Sequence, residues 1–242
     1  MTYTSNPNRI NKFNQTMKKV FILIAAALTL AACGNKNNQE TVQQNDQPME
    51  IKNVEGRTNM GAKIYITPQP ALMLGTYDEN GTPDVMMAAW GGQCDVNRIC
   101  VSLSPHKTTT NLLRTREFTV SFASVNDVVQ SDYFGIVSGN DVPDKVAKAG
   151  FTCTPSPNIN APIINEYPVT LECRVVETID RSNGGVFVIG EVVNVSADES
   201  VMTDGKIDIK KLNPIVFDAP SVTYFSLGDR VGRAWGSGMA LK

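Results

Sequence analysis

Between Val169 and Val195 two long runs rich in β-branched residues flank Asp180-Arg181-Ser182-Asn183-Gly184. Asn-Gly is among the strongest short hairpin signals, because both residues tolerate the positive φ that a tight turn between twisted strands demands. The pattern predicts strands over 169–179 and 185–195, and a hairpin of that length needs further strands beside it. The upstream chain supplies them. Ala71 to Tyr77 is a compact apolar run, Asp78-Glu79-Asn80-Gly81 carries turn chemistry, and Val85 to Trp90 returns as a second strand. Arg98 to Leu103 is short and β-branched, and Pro105 ends it by offering no N–H to a ladder. Phe118 to Ala123 alternates as another strand, and Tyr224 to Gly228 predicts a late element that closes the structure.

Helices enter as short excursions. One is predicted over Thr108 to Arg114, a second over Asn126 to Phe134 with Asn126 as N-cap, and a third over Asp141 to Ala149, with Pro143 near its first turn and Gly150 past its end. No period of 20 to 50 residues recurs, so solenoids and propellers are excluded. Crowded strands with few helices point to a mainly β fold, an antiparallel barrel or sandwich of about 170 residues, the size of one domain.

The 242-residue chain is 42% hydrophobic and 19% charged, which is globular composition. Its single histidine cannot build a His-rich zinc centre, and no Cys-x-x-Cys spacing occurs, so no metal site is expected. The first 32 residues read as a targeting segment. Val20 to Leu30 is apolar, Lys18-Lys19 precede it, and the run is shorter than the about 20 residues that span a bilayer, so it fits a signal-peptide core. Met17 is the expected initiator. Leu30-Ala31-Ala32-Cys33 resembles the lipobox of bacterial lipoproteins, which implies lipidation at Cys33 and a membrane-anchored protein of the bacterial cell envelope. Residues 33–60 are then a flexible tether rich in Asn and Gln, and 61–242 the folded domain. Without residues 1–32 the chain keeps 18 basic against 24 acidic residues, so attraction to nucleic acid is not expected.

Two stretches concentrate chemistry. Ser102-Leu103-Ser104-Pro105-His106-Lys107-Thr108-Thr109-Thr110-Asn111 leaves a strand and opens a helix, combining hydroxyls, an ammonium, an imidazole and helix N-terminal amides. That set suits a phosphate; an ordinary strand-to-helix turn capped by threonines has the same letters. Met86-Met87-Ala88-Ala89-Trp90-Gly91-Gly92 runs from a strand of small and soft side chains into two glycines, where a flat ring could approach the backbone. The alternative there is core packing of Met86, Ala88 and Trp90 on one strand face, with Gly91-Gly92 as the turn. Gly-x-Gly-x-x-Gly, the Walker pattern and Gly-x-Ser-x-Gly are absent, which removes support for a Rossmann site, a P-loop or a hydrolase elbow.

The ordered series Ala71-Leu72-Met73-Leu74-Gly75-Thr76, Asn80-Gly81, Met87-Ala88-Ala89-Trp90, Ser102-Leu103-Ser104, Lys107-Thr108-Thr109-x-Asn111-Leu112 and Glu117-Phe118-Thr119-Val120 resembles the flavin reductase-like FMN-binding split-barrel family, particularly its flavoredoxin branch. Tyr133 to Gly139, Asp144-Lys145 and Ala149-Gly150-Phe151 continue the likeness. The resemblance implies a homodimer holding FMN and taking electrons from NAD(P)H for an unknown acceptor. Its alternative is a flavin-binding electron-transfer module without NAD(P)H activity of its own. The resemblance sets Ala88, Ala89, Trp90 and Gly91 along the isoalloxazine and Ser104, His106, Lys107, Thr108 and Thr109 at the phosphate. Ser138, Gly139 and Lys145 are implied near the flavin, with a helix cap, a turn and a solvated surface lysine as their plain alternative. It names no catalytic residue, because hydride transfer to a flavin requires none. Cys94, Cys100, Cys153 and Cys173 are even in number, which permits disulfides in an oxidising compartment, while Cys100 and Cys173 read as buried strand residues.

Overall fold

Strand order follows from the hairpins. In chain order the strands are β1 (Gln69–Pro70), β2 (Leu72–Tyr77), β3 (Pro83–Ala88), β4 (Gly91–Asp95), β5 (Arg98–Leu103), β6 (Glu117–Phe122), β7 (Cys153–Pro155), β8 (Pro162–Ile164), β9 (Val169–Asp180), β10 (Val186–Ala197), β11 (Met202–Thr203), β12 (Lys206–Ile207), β13 (Ile215–Asp218) and β14 (Thr223–Ser226). The helices are α1 (Lys107–Thr115), α2 (Val128–Ile136), α3 (Lys145–Lys148) and α4 (Ile209–Leu212). This computed structural model describes residues 50–242; the signal run, Cys33 and the tether to residue 49 lie outside the described residues. The chain divides between Asn59 and Met60. Residues 50–59 are exposed and hold one turn, in which the Arg57 N–H donates to the Val54 carbonyl at 3.1 Å.

Seven strands form one antiparallel sheet in the order β3-β2-β6-β9-β10-β5-β4. Its two edge strands, β3 and β4, are consecutive in the chain and joined only by Ala89 and Trp90. The sheet therefore curls into a barrel with its seam at that corner, where the Ser102 N–H donates to the Trp90 carbonyl at 2.8 Å. The β2–β3 turn is tied by the Asp78 carboxylate, which accepts from the amides of Asn80 and Thr82 at 2.9 and 2.8 Å, and Gly81 takes φ +79°. At the β9–β10 turn Gly184 takes φ +81°, as the Asn-Gly signal requires.

Strand β2 is buried on both faces, which is why its sequence is a continuous apolar run. Leu72 and Leu74 point into the barrel with Val101, Leu103, Phe118 and Val188. Met73 packs outside with Val85, Phe134, Phe151, Ile164 and Tyr167, beneath α2 and α3. Phe151 stands edge-on to Phe134 and Tyr167, with ring centroids 5.5 and 5.3 Å away. Such pairs add about 0.5–1.5 kcal/mol each beyond their buried area and hold the helical excursion against β2 and β3.

Local rules set the departures from expectation. Asn126 does not cap the second helix but lies in a 3-10 turn, Val125–Asp127, that leads into it and is capped by Ser124: Ser124 Oγ accepts from the Asn126 N–H, and Asp127, the N-cap residue of α2, reaches back to the Ser124 N–H at 2.8 Å. Only Lys145–Lys148 of the expected 141–149 segment is α-helical, because residues 138–142 form a tighter turn on the Ser138 carbonyl. Gly91 and Gly92 are not a loop but the start of β4. Ala88 is buried and Met86 packs on the barrel core, but Trp90 is 62% exposed and outside it. The four cysteines of the described region are free thiols. Cys173 is buried and Cys100 half-buried. Burial is the main cause raising their thiol pKa values, to about 12 for Cys173.

Candidate functional site

A cavity of about 230 Å³ opens between β3, the start of α1, the end of α2 and the turn before α3. Its floor is ionic. Asp84 on β3 is 1% exposed and Lys145 on α3 is 2% exposed, and Lys145 Nζ lies 3.3 Å from Asp84 Oδ1. The ammonium also donates to the Val137 carbonyl at 2.9 Å. Thr108 Oγ donates to the other carboxylate oxygen, Oδ2. Oδ1 accepts no aligned hydrogen bond, so its only partner is the ion pair. Burial lowers the Lys145 pKa, the Asp84 charge opposes that fall, and the nearby Lys107 charge adds to it.

A second ion pair stands at the rim. Lys107 Nζ lies 3.0 Å from Asp78 Oδ2 and donates to the Gly139 carbonyl at 3.4 Å. Burial works against ionised Asp78, but the Thr82 amide, the Lys107 ammonium and the Asn80 amide together hold its carboxyl below the ordinary range. Each carboxylate is thus matched by one ammonium. The remaining positive character comes from the N-terminus of α1: its N-cap residue, His106, gives no side-chain hydrogen bond, so the first-turn amides lack the usual cap. Helix α1 is locked to the barrel behind them by Thr108 on Asp84 and by Asn111 Nδ2 donating to Thr76 Oγ at 3.2 Å.

Of the residues singled out in the sequence, His106, Lys107, Thr108, Ser138, Gly139 and Lys145 line this cavity. Ala88, Ala89, Trp90 and Gly91 follow on from β3 at the barrel seam, and Ser104 and Thr109 stand behind the helix start, where Thr109 Oγ donates to the Ser104 carbonyl at 2.8 Å. Lys145 is not a solvated surface lysine; its charge is buried against Asp84. Arg114 and Arg116 lie at the far end of α1, donating to the carbonyls of Tyr77 and Val175. Sequence reasoning missed Asp84, Phe134 and the α2 end as walls. The available signal was an acidic residue at the foot of an apolar strand, a position that needs a buried cation. Gly139 is close-packed on it: a Cβ there would stand 2.2 Å from Asp84 Oδ1.

The fold is a split barrel whose one ionic cavity wall is built from a strand, a helix N-terminus and a turn. The flavin reductase like domain matches residues 64–217, and the chain belongs to that family. Flavoredoxin of Desulfovibrio vulgaris (Miyazaki F) is 33% identical, superimposes with a TM-score of 0.71 and is 99% covered by 75% of this chain. Flavoredoxin from Methanosarcina acetivorans is 30% identical with a TM-score of 0.69, 81% of this chain covering 100% of that one. A split barrel domain protein from Shewanella frigidimarina, 24% identical with a TM-score of 0.61 over 68% of this chain and 84% of its own, shares the fold.

Proposed function

We propose that this protein is a homodimeric FMN-binding oxidoreductase that passes electrons from NAD(P)H to an acceptor, tethered to a bacterial membrane through lipid on Cys33. The observation that carries the reading is the uncapped N-terminus of α1 opening on a cavity beside His106 and Lys107. The donor set fits a phosphate: with the two carboxylates matched by Lys107 and Lys145, the first-turn amides and the His106 imidazole supply the remaining positive character beside the Lys107 ammonium. Membership of the flavin reductase-like family and the likeness to two flavoredoxins support FMN as the phosphate-bearing group.

When bound, the flavin supplies the hydride and electron chemistry. The chain's own residues bind and orient. Lys107, His106 and the first-turn amides of α1 would hold the phosphate; Asp84 fixes the helix start through Thr108 and fixes α3 through Lys145. Met86, Met87 and Phe134 are the larger apolar residues among those lining the cavity. No side chain is required to move a proton in this scheme.

An absorption spectrum of the purified chain tests the reading. Flavin bands that bleach on adding NADH or NADPH are expected. A colourless chain that takes up no FMN overturns it, and a flavin that neither nicotinamide reduces but a protein donor does would make the molecule an electron-transfer module.

A further inference from the structure

One side chain from beyond the family domain reaches the cavity wall. The match to that domain ends at residue 217, and β14 follows it. Of the four residues of β14 only Tyr224 is half-buried; Thr223, Phe225 and Ser226 are exposed. The Tyr224 ring lies beside Phe217, its partner across the β13–β14 ladder, with centroids 5.7 Å apart. From there the phenol crosses to α2 and β3. Tyr224 Oη lies 2.8 Å from Asp132 Oδ1 and 3.2 Å from Met87 Sδ. One phenolic proton cannot serve both, and the carboxylate is the stronger acceptor, so Tyr224 donates to Asp132 and its oxygen rests against the sulfur. Burial first, and then the hydrogen bond and charge of Asp132, push the Tyr224 pKa up to about 12, which keeps that proton on the phenol at neutral pH.

Met87 is held from two sides. A Cβ on Gly135 of α2 would stand 3.4 Å from Met87 Cβ, so helix and strand approach closely there, and Tyr224 closes on the far end of the side chain. Met87, Phe134, Gly135 and Ile136 all line the cavity. Methionine is unbranched and changes shape readily, so a wall built on it needs a neighbour to fix it. The same hydroxyl fixes the middle of α2 through Asp132, while Lys145 holds the end of that helix by its bond to the Val137 carbonyl. Two tethers from distant parts of the chain therefore set where the wall stands: Lys145 from the ionic floor of the site, and Tyr224 from outside it.

We infer that Tyr224 is a positioning residue of the cavity, fixing through Asp132 and Met87 the wall offered to FMN. The inference deepens the FMN reading given above and rests on it.

The test uses the full chain in detergent. It follows FMN binding by equilibrium dialysis, the position of the bound flavin's visible band, and the thermal midpoint of the flavin-free chain. Tyr224→Phe keeps the ring and removes the hydroxyl; about fivefold weaker FMN binding and a displaced flavin band are expected. Asp132→Ala removes the acceptor and is expected to give the same two changes, whereas Asp132→Asn, which still accepts from the phenol, keeps the parent's values. In a Met87→Leu background Tyr224→Phe should weaken binding by less than about twofold, because the side chain it positions is gone. Parent affinity and band position in both Tyr224→Phe and Asp132→Ala, whatever the thermal midpoint does, overturn the positioning role and leave the FMN reading standing. An equal loss with and without Met87 overturns the route through the thioether. A parent chain that takes up no FMN overturns the cofactor reading and this inference with it.

Discussion

Two carboxylates in this barrel are each 1% exposed, and the chain satisfies them in opposite ways. Glu172 on β9 meets only neutral donors: Ser156 Oγ, Asn158 Nδ2 at 2.8 Å and Asn194 Nδ2. Burial opposes its ionisation, yet those three side chains hold its pKa below the ordinary value. Asp84 has one hydroxyl, one ammonium and an oxygen that accepts no hydrogen bond. Glu172 ties a loop to two strands and is complete as it stands. Asp84 borders a cavity and depends on a single cation carried by a short helix. Buried charge is structural where dipoles surround it, and conditional where one ion balances it.

The contrast can be broken most directly at Lys145. Lys145→Met strands the Asp84 carboxylate and is expected to cost about 3–5 kcal/mol by urea unfolding, while Asp84→Asn with Lys145→Met recovers most of it. A double variant as unstable as the single one would show that the pair does not act as a unit. Gly139→Ala pushes a methyl against Asp84 and should cost about 1–3 kcal/mol, with Gly228→Ala, where the added carbon meets nothing, as the silent control.

Glu172→Gln keeps the shape but replaces one acceptor oxygen with a donor, for an expected loss of about 1–2 kcal/mol in thermal unfolding. Acid sharpens the same point. The folded pKa values of Glu172, Asp78 and Glu117 lie below their ordinary values, so the unfolded chain binds protons first as pH falls. Their stabilisation is complete above the ordinary carboxyl range and is lost as pH drops through the lowered values; Glu172→Gln should flatten that slope, measured as midpoint against pH. Lys107→Ala takes the cation from Asp78, whose side chain is 6% exposed but keeps the Asn80 and Thr82 amides, for an expected loss of about 1–2 kcal/mol together with about tenfold weaker FMN retention by equilibrium dialysis. Unchanged retention would move the phosphate away from α1.

Most strands were legible because their punctuation is chemical. Asn183-Gly184 and Asp78 to Gly81 demand turns, Pro105 stops β5, and β-branched runs lie between them. The β4 strand was hidden because Gly91 and Gly92 read as loop, whereas at a barrel seam their lack of side chains admits close packing: a Cβ on Gly91 would stand 2.9 Å from the Cys100 carbonyl. At the site, the helix start was visible in Ser104 to Thr109, since capping letters and an adjacent lysine are local. The Asp84–Lys145 pair was not, because nothing local links residues brought together only by α3 folding onto β3. Asn126 fell inside a 3-10 turn capped by Ser124 for a related reason: several adjacent polar residues could serve, and the Asp127 reach-back to Ser124 decides among them.

The seam at Ala89 and Trp90 also sets a timetable. Hairpins β2–β3 and β9–β10 pair neighbours in sequence and can form as soon as their turns exist. Strand β5, by contrast, pairs with β10, Leu103 opposite Val186, across a large part of the chain. A chain emerging from synthesis therefore holds Val101 and Leu103 without their cover until the last long strand arrives. Closure across such a distance places the barrel among folds that complete in milliseconds to seconds rather than microseconds. The pairing of β5 with β10 is thus the step of barrel closure that must wait for distant chain, and the interval before it forms is when the apolar interior is open to the wrong partner.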